Sequence, residues 1–79
     1  MKKKLLITGC STGIGKATLT KIIEENKYEI YVISKHTENL TRIDNLHVFK
    51  CDLSNKTEKV KTIQKIIKIS NGIDILINN

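Results

Sequence analysis

Hydrophobic positions fall in short blocks along the chain, and the spacing inside the blocks switches between strand-like and helix-like. Lys4-Leu5-Leu6-Ile7-Thr8 is an apolar run that halts at a glycine cluster, as a strand buried on both faces of a parallel sheet does. Residues 14 to 25 then carry Ile14, Ala17, Leu19, Ile22 and Ile23 among polar positions, a helical spacing that ends in Glu24-Glu25-Asn26. Asn26 predicts a left-handed helix stop, since asparagine tolerates that conformation. Glu29-Ile30-Tyr31-Val32-Ile33, β-branched and aromatic, predicts a second strand. Residues 37 to 44 predict a short helix or helical turn with Thr37 as its cap. Leu46-His47-Val48-Phe49-Lys50-Cys51 reads as strand three. A helix capped by Ser54 or Thr57 then runs to about Ser70. It carries Val60, Ile63, Ile66 and Ile67 in one stripe, with Lys59, Lys61, Lys65 and Lys68 largely off it. Asn71-Gly72 stops that helix, and Ile73-Asp74-Ile75-Leu76-Ile77 is strand four.

This alternation predicts an α/β fold. Parallel neighbours need crossover connections, and those crossovers are right-handed, so the expected strand order is 3-2-1-4, the first part of a doubly wound sheet. Strand four is then expected at an open edge. No repeat, linker or low-complexity stretch divides the chain, so residues 1–79 read as part of one domain.

Three of the four glycines stand in one turn, Thr8-Gly9-Cys10-Ser11-Thr12-Gly13-Ile14-Gly15, between strand one and helix one. Each has a job in a phosphate cradle. Gly9 permits the tight exit from the strand, Gly13 lets backbone approach a pyrophosphate, and Gly15 lets the helix pack on the strand. The helix N-terminus offers unpaired N–H groups to an anion, and Ser11 and Thr12 add hydroxyl donors. The spacing is not that of a Walker A loop, because five residues rather than four separate Gly9 from Gly15-Lys16, and Ala17 follows. Nor is it Gly-x-Gly-x-x-Gly.

Composition narrows the functions further. Net charge is +6, from thirteen lysines and one arginine spread along the chain, which describes a solvated surface. With only 4% aromatic residues there is no stacking platform for bases, so nucleic acid is not an expected partner. Apolar runs reach only strand length, and the leading Lys2-Lys3-Lys4-Leu5-Leu6-Ile7 is too short for a secretory core. These features predict a cytoplasmic chain with no membrane contact. Cys10 and Cys51 form no Cys-x-x-Cys pair, and neither His36 nor His47 has a second ligand nearby in sequence, so no metal site is predicted.

Thr8-Gly9-x-x-x-Gly13-Ile14-Gly15 resembles the cofactor-binding motif of the short-chain dehydrogenases/reductases. Cys51-Asp52-Leu53 after strand three looks like that family's Asp-hydrophobic pair beside the adenine ring. Asp74-Ile75-Leu76-Ile77-Asn78-Asn79 looks like the strand leading into its Asn-Asn-Ala-Gly motif. The resemblance covers the whole chain and roughly the first third of a typical member. It implies a partial Rossmann fold and a cofactor site formed by Gly9, Ser11, Thr12, Gly13, Ile14, Gly15, Ser34, Lys35, Asp52, Leu53, Asn78 and Asn79. It further implies hydride transfer between a nicotinamide cofactor and a carbonyl or alcohol substrate, in a parent enzyme expected to be a homo-oligomer.

Strand two decides between the two nicotinamide cofactors. An acid at its end would accept from the ribose 2′-OH and repel a 2′-phosphate. Here the strand ends Ile33-Ser34-Lys35-His36, with no acid until Glu38, so a hydroxyl and a cation favour NADP(H), with NAD(H) the alternative. The family's catalytic Tyr-x-x-x-Lys pair has a decoy in Tyr31-Val32-Ile33-Ser34-Lys35. In a strand those residues lie about 13 Å apart, at roughly 3.3 Å per residue, whereas the working pair shares a helix face. No catalytic residue is assigned, and the chain reads as the front of a longer reductase. The competing readings are a small non-catalytic nucleotide-binding module and, less favoured, a basic interaction protein.

Overall fold

A computed structural model of the protein describes residues 2–10, 13–38, 40 and 43–78. Its elements follow in the order β1 (Lys3–Thr8), α1 (Gly13–Glu25), β2 (Tyr28–Ser34), β3 (Leu46–Lys50), α2 (Lys56–Ser70) and β4 (Ile75–Asn78). All strand pairs are parallel and the sheet order is β3-β2-β1-β4, as expected. Leu5 stands between Ile30 of β2 and Ile75 of β4, and Ile7 between Val32 and Ile77.

The pleat sorts side chains onto two faces. Leu5, Ile7, Ile30, Val32 and Leu46 pack with Leu19 and Ile22 of α1 on one side. Leu6, Tyr31, Ile33 and Cys51 pack with Ile66 of α2 on the other. A right-handed crossover from β1 to β2 puts α1 on one face. The return from β3 across to β4 reverses direction and puts α2 on the opposite face. Ile7, Ile30, Ile33 and Ile66 are almost wholly buried, each contributing about 1.5–3 kcal/mol of hydrophobic stabilisation.

Several local expectations are corrected. The cap of α2 is Asn55 rather than Ser54 or Thr57; its side-chain oxygen accepts from the Glu58 N–H at 3.1 Å. Of the short helix or helical turn expected over 37–44, the described residues show the turn, with the Leu40 N–H donating to the Thr37 carbonyl at 3.3 Å. Leu40 is its buried anchor. Strand four begins at Ile75 because Asp74 is committed to a clamp: its carboxylate accepts from the Lys4 N–H at 2.8 Å and its own N–H donates to the Lys4 carbonyl at 2.9 Å. The apolar stripe of α2 is only partly covered. Ile66 is buried and Ile63 half-buried, whereas Val60 and Ile67 are about half exposed. The helix meets the sheet through Ile66 and Ile63, which pack with Leu6 of β1, Tyr31 and Ile33 of β2 and Cys51 after β3.

Both helix stops hold. Asn26 and Asn71 adopt left-handed conformations (φ 52° and 62°), and Asn71 and Gly72 both donate to the Ile67 carbonyl. β4 lies at the sheet edge, with Leu76 exposed. No helix among the described residues is long and apolar enough to cross a membrane.

Candidate cofactor site

β1 leads out at its carboxyl end through Gly9 (φ 66°) into the N-terminus of α1 at Gly13 (φ 60°). A Cβ built on Gly13 meets no atom within 4 Å, so glycine is required there by backbone conformation and not by crowding. Gly15 is the opposite case. A Cβ there would lie 1.9 Å from the Gly9 carbonyl oxygen and 2.8 Å from its carbon, so only glycine lets the first turn of α1 close onto the strand exit. Ile14 is exposed on the outer side of this turn. Ser11 and Thr12 lie outside the described residues, as does Asn79.

Beside the turn, a cleft of about 200 Å³ opens at the carboxyl ends of β1, β2 and β3. Gly9, Ile33, Ser34, Lys35, Cys51 and Leu53 line it. It lies next to the point where the chain, having built outward from β1 through β2 to β3, crosses back to β4, which is where open α/β sheets bind ligands. The fold therefore brings Gly9, Ser34, Lys35 and Leu53 to one cleft; Asp52 stands between the lining residues Cys51 and Leu53 and reaches it through its contact with Lys35. Ile33 and Cys51 also line it and were not singled out from sequence. The signal was their position: Ile33 is the last apolar residue of β2, and Cys51 directly follows β3.

Ser34 is buried, and its hydroxyl donates to the His36 carbonyl at 2.7 Å. Lys35 is exposed, with its Nζ 3.8 Å from Asp52 Oδ2. The Ser54 hydroxyl and N–H both donate to Asp52 Oδ1, at 2.7 and 3.0 Å. These two bonds, with help from Lys35, hold the Asp52 carboxyl below its ordinary pKa, so it stays an ionised acceptor at neutral pH. Glu38, the first acid after β2, lies 3.9 Å from Lys50 Nζ. Asn78 accepts a hydrogen bond from the Thr8 hydroxyl at 3.0 Å, tying β4 to β1.

The decoy and the lone groups resolve plainly. Tyr31 is buried in β2 and stacks on His47 with ring centroids 4.8 Å apart, while Lys35 points to Asp52. His47 also pairs with Glu29 across β2 and β3. Cys10 is fully buried, and burial pushes its thiol pKa up, so it is no reactive thiolate despite its place before α1. No cluster of metal-ligating side chains occurs among the described residues.

The family model for short chain dehydrogenases matches residues 3–79. The chain belongs to the short-chain dehydrogenase family. An oxidoreductase of Bacillus subtilis, YvrD, is 35% identical over 100% of the chain and 32% of its own length. An oxidoreductase of Mycobacterium bovis is 34% identical over 98% of the chain and 26% of its own length. Among solved structures, ElxO with NADP bound superposes with a TM-score of 0.83 at 31% identity, covering 100% of this chain and 35% of that one. This short-chain dehydrogenase chain thus spans about a third or less of the length of its relatives.

Proposed function

We propose that residues 1–79 form the N-terminal part of a single Rossmann domain that binds NADP(H), in an enzyme that transfers hydride between nicotinamide and a carbonyl or alcohol substrate. The observation that carries this reading is the convergence at one end of the sheet of the left-handed glycine turn, the α1 N-terminus and the cleft lined by Ser34 and Lys35, with Asp52 paired to Lys35 beside it. The donor set fits a dinucleotide phosphate. The Gly9–Gly15 turn and the first N–H groups of α1 hold the pyrophosphate, with Ser11 and Thr12 as hydroxyl donors. Ile33, Cys51 and Leu53 wall the adenine, and Asp52 accepts from its amino group. Lys35 supplies the cation for the 2′-phosphate beside Ser34. Asn78, tied to Thr8 of β1, steadies the strand on the nicotinamide side, and Asn79 is assigned to the same end by its place in the motif alone. When bound, the reduced cofactor would donate hydride to a carbonyl and the oxidised form would accept it from an alcohol. The similarity to ElxO, whose structure contains NADP, supports this choice of cofactor.

Gly13 provides the test. Gly13→Val places a β-branched residue at φ 60°, a strained conformation costing about 1–3 kcal/mol, and sets a side chain where the pyrophosphate must approach. Because no protein atom lies near that Cβ, the fold is expected to persist. Calorimetric titration with NADPH should show binding weakened at least about a hundredfold, with the far-ultraviolet dichroism retained. Binding as tight as in the parent would make the turn structural only.

A further inference from the structure

The connection from β3 to α2 carries an unusual bond. In the ordinary reciprocal cap, a glutamate in the third helical position returns to the N–H of the cap residue. Glu58 holds that position, and its own N–H is taken by Asn55 Oδ1 at 3.1 Å. Its carboxylate, however, reaches further back and accepts from the N–H of Asp52 at 3.1 Å. The Asn55 N–H is satisfied instead by the Asp52 carbonyl at 3.0 Å. The main chain of Asp52 is therefore gripped at both its N–H and its C=O by the first turn of α2. Ser54 fixes Oδ1 of the side chain, and Oδ2 is left on the side of Lys35.

We propose that Glu58 is a positioning residue for adenine recognition, acting through the main chain of Asp52. The inference rests on the cofactor reading above, in which Asp52 accepts from the adenine amino group. An ionised carboxylate only accepts hydrogen bonds. It favours the 6-amino group of adenine and disfavours hypoxanthine, which presents a carbonyl oxygen at that place. Such discrimination depends on aim, because hydrogen bonds weaken steeply with misalignment. Glu58 touches no cofactor atom in this arrangement; it sets the angle from which Asp52 approaches.

The test compares the affinities of the protein for NADPH and for its hypoxanthine analogue. The parent should favour the adenine form by about tenfold or more. Glu58→Ala should narrow that ratio to about twofold. So should Glu58→Asp, which keeps the negative charge at the helix N-terminus but shortens the reach by one methylene. Glu58→Gln, with an oxygen acceptor at the original reach, should keep the parent's ratio. An unchanged ratio in Glu58→Ala and Glu58→Asp overturns the proposal and leaves the cofactor reading standing. Equal narrowing in Glu58→Gln overturns it too, since the effect would then belong to charge or helix stability. A parent that binds NADPH without preferring adenine, or not at all, overturns the adenine role of Asp52 and this proposal with it.

Discussion

Replacing Gly15 with alanine is expected to cost at least about 3 kcal/mol of stability, the upper end of what overpacking imposes. The added carbon would stand 1.9 Å from the Gly9 carbonyl oxygen, and what it meets is backbone rather than a side chain that can swing aside. Relief requires moving α1 away from the exit of β1. That movement loosens Leu19 and Ile22 from Leu5 and Ile7, and so opens the larger of the two apolar clusters. Urea unfolding followed by circular dichroism should show a midpoint far below the parent's, or no cooperative transition. The parent's midpoint in Gly15→Ala would mean that α1 does not sit where the structure has it. Gly13→Val separates the two roles of the turn: it should remove binding while largely sparing the fold, whereas Gly15→Ala removes both.

The second large effect concerns cofactor choice. Lys35→Asp should reverse the preference from NADPH to NADH. The substitution removes a charge-assisted hydrogen bond to the 2′-phosphate, about 1.5–3 kcal/mol, and sets a carboxylate where it repels that phosphate and accepts from a 2′-OH. Together these should change the ratio of affinities by about a hundredfold or more. Lys35→Ala should weaken NADPH alone. Because Lys35 is exposed, with 66% of its side chain in contact with solvent, the parent's preference should also shrink as salt is added. Unaltered relative affinities in Lys35→Asp would assign the 2′-phosphate to other groups.

Strands and strand order were legible in the sequence because each rests on a local signal. Apolar runs of strand length, separated by helical spacing, leave few topologies once crossovers must be right-handed. The glycine turn was legible for the same reason: three glycines at fixed offsets between a strand and a helix. The α2 cap was misread although its signal was present. Asn55-Lys56-Thr57-Glu58 has the spacing of a capping box with asparagine in the cap position, and the nearby Ser54 and Thr57 competed for the role. Residues 37–44 offered a short helix or a helical turn, with only Thr37 as a capping signal, and the buried Leu40 pins the turn.

Burial along α2 was beyond local reading. Ile66 and Ile67 share one stripe by spacing, yet the first is buried against Leu6, Tyr31, Ile33 and Cys51 and the second is half exposed, since spacing gives the apolar face of a helix and not which part of it the sheet covers. The links among Lys35, Asp52 and Glu58 were equally invisible in sequence. Each residue follows a different strand or helix start, and only the parallel register of β2 and β3 brings the ends together.

Backbone amide spectra recorded during titration with NADPH report where on the sheet the cofactor lies. The largest shifts should fall on Gly9, Gly13, Ile14, Gly15, Ser34, Lys35, Asp52 and Leu53. The outer surface of α2 around Lys56, Val60 and Gln64 should stay nearly unmoved. Largest shifts on that outer surface, or none at saturating NADPH, would mean that the glycine turn and the ends of β2 and β3 do not hold the cofactor.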